Sequence, residues 1–275
     1  MGNISASEVN KLRKATGAGI MDCKNALVES SGDFDVAIEN LRKKGQKVAA
    51  KRADRESSEG AVIASVNIEN NSGVIISLNC ETDFVGKNES FVNLAKQISE
   101  IAISCDTIDD LLSSSFDGKM SVKEKLTEQT GVIGEKIEIG SFKKLESRFV
   151  GYYIHSGNKI ATLVGLTEHF EGCYDVAKNI AMQAAAMSPI ALDESGVSKE
   201  VIEKEIEIAK EQLRAEGKPE NMLENIAKGK LKKFFKENTL INQAYIKDTK
   251  ISVINYLQSI NQNCSISDFK RVSLV

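Results

Sequence analysis

The chain has 275 residues, which is long enough for two or three domains with a sizeable buried core. Hydrophobic residues make up 41% and charged residues 27%, as is ordinary for a soluble globular protein. The 36 basic and 39 acidic side chains leave a formal net charge of -3, so the chain as a whole has no field that would attract a nucleic acid or a membrane.

The first 54 residues predict helices. Ser5 and Glu8 have the spacing of a capping box in front of an apolar stripe. A second helix follows the glycines at 17 and 19, and a third has apolar residues between 34 and 41 at the i, i+3, i+4, i+7 spacing of an amphipathic helix. Between Arg42 and Arg55, seven basic side chains accompany one acid. We therefore predict a module of three short helices followed by a linker helix.

From residue 61 onward the pattern is typical of β-hairpins, each followed by a helix. The order of two strands, a turn between them and an amphipathic helix occurs twice, and one further strand extends each unit. Such spaced hairpins favour an α+β fold over a parallel sheet. The predicted strands are 61–68, 74–78, 136–142, 149–154, 160–166 and 266–272, and the helices that follow the hairpins are 91–102 and 176–187.

The region after Pro189 predicts an antiparallel helical hairpin. Apolar residues between 202 and 213 are spaced by 4, 3 and 4, as in the seam of a coiled coil. A Gly-Lys-Pro turn that ends at Pro219 interrupts the pattern. The arm 198–216 has six acids and four bases, whereas the arm 220–237 has five lysines and three acids. We expect these complementary arms to pair and to project from the body of the protein.

These patterns divide the chain into four predicted parts. Residues 1–54 form the helical module with its linker helix, and residues 55–144 form an amino-terminal core subdomain. Residues 145–197 and 238–275 together form a carboxyl-terminal core subdomain. The coiled-coil hairpin, 198–237, is inserted into that second subdomain.

The sequence predicts a cytoplasmic protein. No run approaches the roughly 20 apolar residues of a membrane-spanning helix, and Met1 to Lys14 carries charges without the apolar core of a signal peptide. The five cysteines stand far apart, and their odd number excludes a full disulfide set. Reduced thiols in a cytoplasm are the simplest interpretation.

Catalytic and metal-binding patterns are absent from the sequence. His155 and His169 lie 14 residues apart without metal-ligand spacing around either, and no zinc-protease, Cys-x-x-Cys or nucleophile-elbow motif occurs. Gly86-Lys87 cannot belong to a phosphate-binding loop, because the required upstream glycine is Glu81. We predict a protein that is not an enzyme, has no catalytic residue and needs no cofactor or metal. An unrecognised active site remains the alternative.

Two continuous segments resemble one family closely. Residues 12–27, which contain Thr-Gly-Ala-Gly and Met-Asp-Cys-Lys, and the continuation 32–43 look like the ubiquitin-associated-like module of elongation factor Ts. Asn-Cys-Glu-Thr-Asp-Phe-Val at 79–85 resembles the signature of the same family. Phe84 is an aromatic residue in a polar turn, where burial in the core is the usual explanation. Its neighbours instead predict a loop tip, with Asn88 as the N-cap of the next helix.

The resemblance covers essentially the whole chain in order, and it implies a guanine nucleotide exchange factor for the GTPase elongation factor Tu. In this family the phenylalanine of the signature enters the GTPase domain near its magnesium and displaces magnesium and phosphate contacts. For Asp83 two roles stay open: orienting the loop, or bringing a negative charge near the magnesium. The residues implied for magnesium dislocation are Thr82, Asp83, Phe84 and Val85, and those implied for other partner contacts are Lys24, Lys51, Ile133, Gly134 and His155.

The chain departs from some relatives in two ways. Gln183 stands where a histidine is expected in the helix after the second hairpin. The sequence also ends soon after the strand through Val272, without the tail that contributes to dimer contacts in some members, so a homodimer within the complex stays open. No direct contact with nucleic acid or membrane is expected.

Two other functions are consistent with the residues alone. A three-helix module with a coiled coil is also typical of an adaptor, which would bind a partner without affecting its nucleotide. The basic residues from Arg42 to Arg55 and the lysines of 228–236 would suit RNA. Charge runs are more often solvated helix faces, however, and no aromatic residues are interleaved with these as single-strand recognition requires.

Overall fold

The computed structural model describes residues 4–274, and within them the chain alternates helical segments with small antiparallel sheets. The predicted α+β class is confirmed. None of the helices described there is long and apolar enough to cross a membrane. The first three helices are α1 (Ala6–Thr16), α2 (Ile20–Glu29) and α3 (Phe34–Arg52).

Helices α1 to α3 pack around a small apolar core. Leu12, Cys23 and Leu27 are buried in it, together with Ala37 of α3. The capping box of Ser5 and Glu8 is present at the start of α1. The prediction of a separate linker helix is wrong, because α3 runs without a break from the module through the basic segment to Arg52.

The next part of the chain forms a three-stranded sheet with helices inserted between its second and third strands. The strand order is first, second, third, and both pairings are antiparallel. Three of the inserted helices were not predicted: the four-residue helix after the second strand and the two that precede the third strand. The elements are β1 (Glu59–Val66), β2 (Ser72–Cys80), α4 (Asp83–Gly86), α5 (Glu89–Ala102), α6 (Ile108–Ser113), α7 (Val122–Ile133) and β3 (Glu138–Glu146).

A second sheet and the helical hairpin follow. The hairpin lies between the eighth helix and a small two-stranded sheet, and the last strand returns to complete the second sheet. The small sheet and the helix after it were also missed. The elements are β4 (Phe149–Ile154), β5 (Ile160–Leu166), α8 (Cys173–Met187), α9 (Lys199–Ala215), α10 (Glu220–Asn238), β6 (Ala244–Tyr245), β7 (Asp248–Ser252), α11 (Val253–Ile260) and β8 (Ile266–Ser273).

The two larger sheets share apolar contacts. Val62 and Ile75 of the first sheet belong to one buried cluster with Val150 and Leu163 of the second. A separate cluster lies under α5 in the first unit, and another lies under α8 in the second. The shared cluster therefore joins two units that each have an apolar core of their own.

Gln183, at the position where a histidine was expected, is fully buried in α8. Its amide nitrogen donates to Oε1 of Gln243 and to the backbone oxygen of Ala244, each at 3.1 Å. Its amide oxygen accepts from the backbone nitrogen of Ile246 at 2.8 Å. The glutamine thus satisfies its polar atoms by fastening the β6–β7 hairpin to α8.

Helices α3 and α7 cross at a pair of glycines. Gly45 of α3 is buried, and a β-carbon added to Gly131 of α7 would lie 2.4 Å from Cα of Gly45. No side chain other than hydrogen fits this approach without movement of backbone. The two glycines therefore set how closely the amino-terminal helices pack against the core.

Replacing Gly131 with alanine should destabilise the protein, because the added methyl group overpacks the crossing. We expect a loss of about 1–3 kcal/mol in the free energy of unfolding, measured by urea denaturation. Gly229→Ala in α10 is the matched control, since no atom lies within 4 Å of its added β-carbon. That substitution should instead stabilise by about 0.5–1 kcal/mol. Equal effects at the two positions would contradict the crossing as the cause.

Candidate functional site

Phe84 lies in the one-turn helix α4, directly after the end of β2, and 83% of the residue is exposed. Thr82 is the N-cap of this turn, and its hydroxyl accepts from the backbone nitrogen of Val85 at 3.5 Å. The prediction of a loop tip was close, but the tip is a helical turn. The ring is therefore accessible to another molecule.

The residues after Phe84 return the chain to the core. Val85 packs against the apolar cluster of the first sheet. Gly86 is buried, and a β-carbon there would lie 3.1 Å from the backbone of Gly60. Asn88 caps α5 by accepting from the backbone nitrogen of Ser90 at 2.9 Å, as predicted. The ring is therefore exposed on a turn whose far end is fixed.

Asp83 forms an ion pair with Lys87 at 2.6 Å. The hydrogen bond from Lys87 holds the pKa of the Asp83 carboxyl below its usual value, so this side chain stays ionised at neutral pH. Both side chains are substantially exposed, which makes the pair a weak contribution to stability. Its effect is to fix a charge next to the ring.

The carboxylate of Glu135 holds the near end of the turn. Its oxygens accept from the Thr82 hydroxyl at 2.7 Å, from the Thr82 backbone nitrogen at 3.0 Å and from the Glu81 backbone nitrogen at 3.1 Å. Glu135 follows Gly134, which ends α7 in the left-handed conformation with φ 82°, a conformation that favours glycine. Ile133 and Gly134, which are remote in sequence, are thereby brought beside the turn.

Glu81 ties the same turn to the residue after Glu135 and to the end of α3. Its carboxylate accepts from the backbone nitrogen of Lys136 at 2.7 Å, and Arg52 Nη1 donates to both of its oxygens at 2.7 and 2.8 Å. The pKa of the Glu81 carboxyl is lowered, chiefly by the hydrogen bond from the Lys136 backbone. Arg52 is the last residue of α3, so the helix that begins in the amino-terminal module ends at this site.

Cys80, the last residue of β2, also contacts the turn. Its thiol donates to the Thr82 carbonyl oxygen at 3.1 Å. Burial, reinforced by the negative charge of Glu135, raises the pKa of the thiol to about 11. At neutral pH it is therefore a neutral hydrogen-bond donor and not a nucleophile.

Lys24 lies on a different surface, on the outer side of α2. It is exposed, and so are three apolar side chains of the same helix, Ile20, Met21 and Val28. This apolar surface was missed in the sequence, although these residues fall outside the buried stripe of Cys23, Ala26 and Leu27. Lys51 is exposed in the last turn of α3, next in sequence to Arg52.

His155 is exposed in the turn between β4 and β5. Its Nδ1 lies 3.0 Å from the Tyr153 hydroxyl, and its backbone nitrogen donates to the Ile160 carbonyl oxygen at 2.8 Å. It borders an apolar hollow that Met182 and Ile246 also line. Within residues 4–274 its hydrogen bonds stay in its own hairpin, so the structure does not join His155 directly to the Phe84 turn.

Across residues 4–274 no group of three or more histidine, cysteine, aspartate or glutamate side chains could hold a metal ion. All five cysteines are free and buried. The chemically distinctive feature near Phe84 is thus an exposed aromatic ring on a braced turn.

Comparison with known proteins identifies relatives along the whole chain. The family model described as Elongation factor TS matches residues 81–274. Elongation factor Ts of Christiangramia forsetii and that of Flavobacterium psychrophilum are each 62% identical to this chain over 100% of both proteins. Elongation factor Ts of Amoebophilus asiaticus is 50% identical over 98% of each chain.

Phe84→Ala should leave the stability of the protein nearly unchanged, because the ring loses little contact area. The expected change in the free energy of unfolding is within about 0.5 kcal/mol. Phe91→Ala is the matched control: that ring is 2% exposed in the core under α5, and its loss should cost about 3–5 kcal/mol. Thermal denaturation of both variants provides the test. A large loss for Phe84→Ala would mean that the ring packs within its own protein.

Proposed function

The chain belongs to the elongation factor Ts family, and we propose that it carries out this family's guanine nucleotide exchange on elongation factor Tu through the Phe84 turn. It is a translation elongation factor, and it promotes release of GDP so that GTP can bind. In this proposal it forms no covalent intermediate, uses no cofactor and works in the cytoplasm. The exposure of the Phe84 ring on a turn fixed at both ends is the observation that supports the mechanism.

Phe84 acts in this mechanism by competing with the partner's magnesium and phosphate site. The ring enters the GTPase where the intact nucleotide site cannot coexist with it, and Thr82 and Val85 hold it in place. Asp83 orients the turn through its pair with Lys87. Binding of the factor and of nucleotide to the GTPase is thermodynamically linked. A factor that favours the nucleotide-free GTPase must therefore weaken the affinity for nucleotide by the same factor by which nucleotide weakens the affinity for the exchange factor.

The ring cannot supply the necessary free energy by itself. Weakening nucleotide affinity ten thousandfold requires about 5.5 kcal/mol of differential binding, whereas burial of one phenylalanine contributes about 1.5–3 kcal/mol. Further contacts must share the load. We assign them to Lys24 and Lys51, to Ile133 and Gly134, and to His155.

The exposed apolar residues of α2 support the first of these contacts. Ile20, Met21 and Val28 surround Lys24 with apolar area that has no partner within the described part of the chain. Interfaces combine an apolar centre with a polar rim, and this surface has both. We therefore propose that it binds the GTPase, with Lys24 at its rim.

We propose that the chain is divided into four parts, which are 1–54, 55–144, 145–197 with 238–275, and 198–237. Separate apolar clusters within the first helices, under α5 and under α8 support it. Elongation factor Tu is the proposed partner, without direct nucleic acid or membrane contact. The mass of the complex would show whether it contains a homodimer of this chain.

The two competing functions differ from exchange in what they predict. An adaptor would bind elongation factor Tu and leave GDP release unchanged. RNA binding would use the basic segment, where Lys43, Lys44 and Arg52 each form an ion pair with an acidic side chain. That pairing favours a solvated helix face over a nucleic-acid surface.

Phe84→Ala should slow GDP release while the protein still binds elongation factor Tu. The partner would be loaded with fluorescent GDP and release followed by stopped flow at saturating factor. Loss of the ring removes about 1.5–3 kcal/mol, which corresponds to a rate about 10- to 150-fold lower. Ile68→Ala is the control, because Ile68 is 96% exposed and lies in the β1–β2 turn, at the end of this hairpin opposite to the Phe84 turn. Unchanged release by Phe84→Ala would exclude the ring as the acting group.

Lys24→Ala should weaken association with little effect on the exchange step once the complex has formed. A charge at the rim of an interface contributes up to about 1 kcal/mol, so the affinity should fall up to about fivefold. Titration of nucleotide-free elongation factor Tu by calorimetry measures it, with the exposed Lys96 of α5 changed to alanine as control. Identical affinities for the two variants would argue against this anchor.

A further inference from the structure

We propose that Glu135 is a positioning residue for nucleotide exchange, whose carboxylate keeps the Phe84 turn from yielding when the ring enters the partner. This inference rests on the proposed function. The inference does not require Glu135 to contact the partner. Glu135 would act through Thr82 and Glu81, whose backbone it binds.

Helix α4 is too short to hold its own shape. Forming the first turn of a helix is unfavourable, and a helix of four residues adds too few further hydrogen bonds to offset that cost. Its N-cap hydrogen bond, from Val85 to the Thr82 hydroxyl, is 3.5 Å long and lies at the weak end of hydrogen-bond geometry. The turn therefore needs support from outside.

Glu135 provides that support with three hydrogen bonds of 2.7 to 3.1 Å. Each has an ionised acceptor, and such bonds are about twice as strong as neutral ones. Thr82 donates two of them, so its backbone and its side chain are both held. Thr82, two residues before Phe84, is thus the most firmly held residue of the turn.

The brace continues into the amino-terminal helices. Glu81 binds Arg52, the last residue of α3, and α3 crosses α7 at Gly45 and Gly131. Glu135 follows directly after the end of α7. The turn is consequently held between the ends of two helices that are themselves packed together.

A braced turn and a loose turn differ in one measurable respect. Contacts elsewhere on the surface set how tightly the factor binds, whereas stiffness of the turn sets how far the bound ring can distort the nucleotide site. Loss of the brace should therefore lower the maximal rate of GDP release and not the affinity. A residue that only stabilised the fold would not separate these two quantities.

The experiment measures release of fluorescent GDP from elongation factor Tu over a range of factor concentrations. Glu135→Ala should lower the maximal rate about tenfold, equivalent to about 1.4 kcal/mol, with a half-saturating concentration within about twofold of the unmutated value. Glu135→Gln should recover most of the rate, since its amide oxygen can still accept from both backbone nitrogens. The exposed Glu100→Ala in α5 is the control and should behave like the unmutated protein.

A double variant shows whether Glu135 acts through the ring. In a Phe84→Ala background, Glu135→Ala should cause no further loss of rate, because the group it positions is gone. Should Glu135→Ala melt below the assay temperature, Glu135→Asp replaces it: the charge remains, but the shorter side chain cannot span the same three bonds, and the same fall is expected.

Three results would overturn the inference: an unchanged maximal rate, an effect confined to affinity, or an equal loss in both backgrounds. Failure of the proposed function has a different signature. If the unmutated protein does not accelerate GDP release, exchange itself is refuted, and the inference falls with it. If the unmutated protein accelerates GDP release and Glu135→Ala reaches the same maximal rate, only the inference is refuted.

Discussion

The candidate site depends on one carboxylate that satisfies the backbone of another segment. Glu135 lies 53 residues after Thr82 in sequence, yet it accepts the hydrogen bonds that a single helical turn cannot make internally. An exposed aromatic ring on a flexible loop would fold back onto apolar surface and hide itself. Here Glu135 fixes the turn on one side, and the buried Gly86 and the partly buried Val85 fix it on the other, so the ring stays in water, accessible to other molecules.

The same constraint explains the order of the helices around the site. Helix α3 belongs to the amino-terminal module at its start and to the Phe84 turn at its end, where Arg52 meets Glu81. Because α3 is one helix and crosses α7 at two glycines, the module cannot pivot freely on a linker. The apolar surface of α2 and the ring of Phe84 are therefore carried by one packed assembly of helices.

Much of this could be predicted from local pattern, and the rest could not. The capping box at Ser5, the hairpins and the cap at Asn88 follow from spacing and turn chemistry, which act between near neighbours. Helix α7 was missed because its buried residues are only Val122, Leu126 and the polar Thr130, so it shows little apolar periodicity. Arg52 was assigned to a run of charge on a solvated helix face and Glu135 was not singled out, since their partners lie in other segments and no local pattern indicates them.

Exchange by mechanical competition makes stiffness as important as contact area. In the mechanism proposed above, binding free energy from contacts at α2, at the end of α7 and near His155 would weaken nucleotide binding only if it displaced groups at the ring. A turn that deformed on contact would absorb this free energy, and the factor would bind tightly without releasing GDP, which is how an adaptor behaves. The difference between an exchange factor and an adaptor with the same surfaces can thus lie in a few hydrogen bonds behind the ring. In this chain those bonds converge on Thr82 and Glu81, which are held by side chains and backbone from two separate segments, the end of α3 and the residues that follow α7.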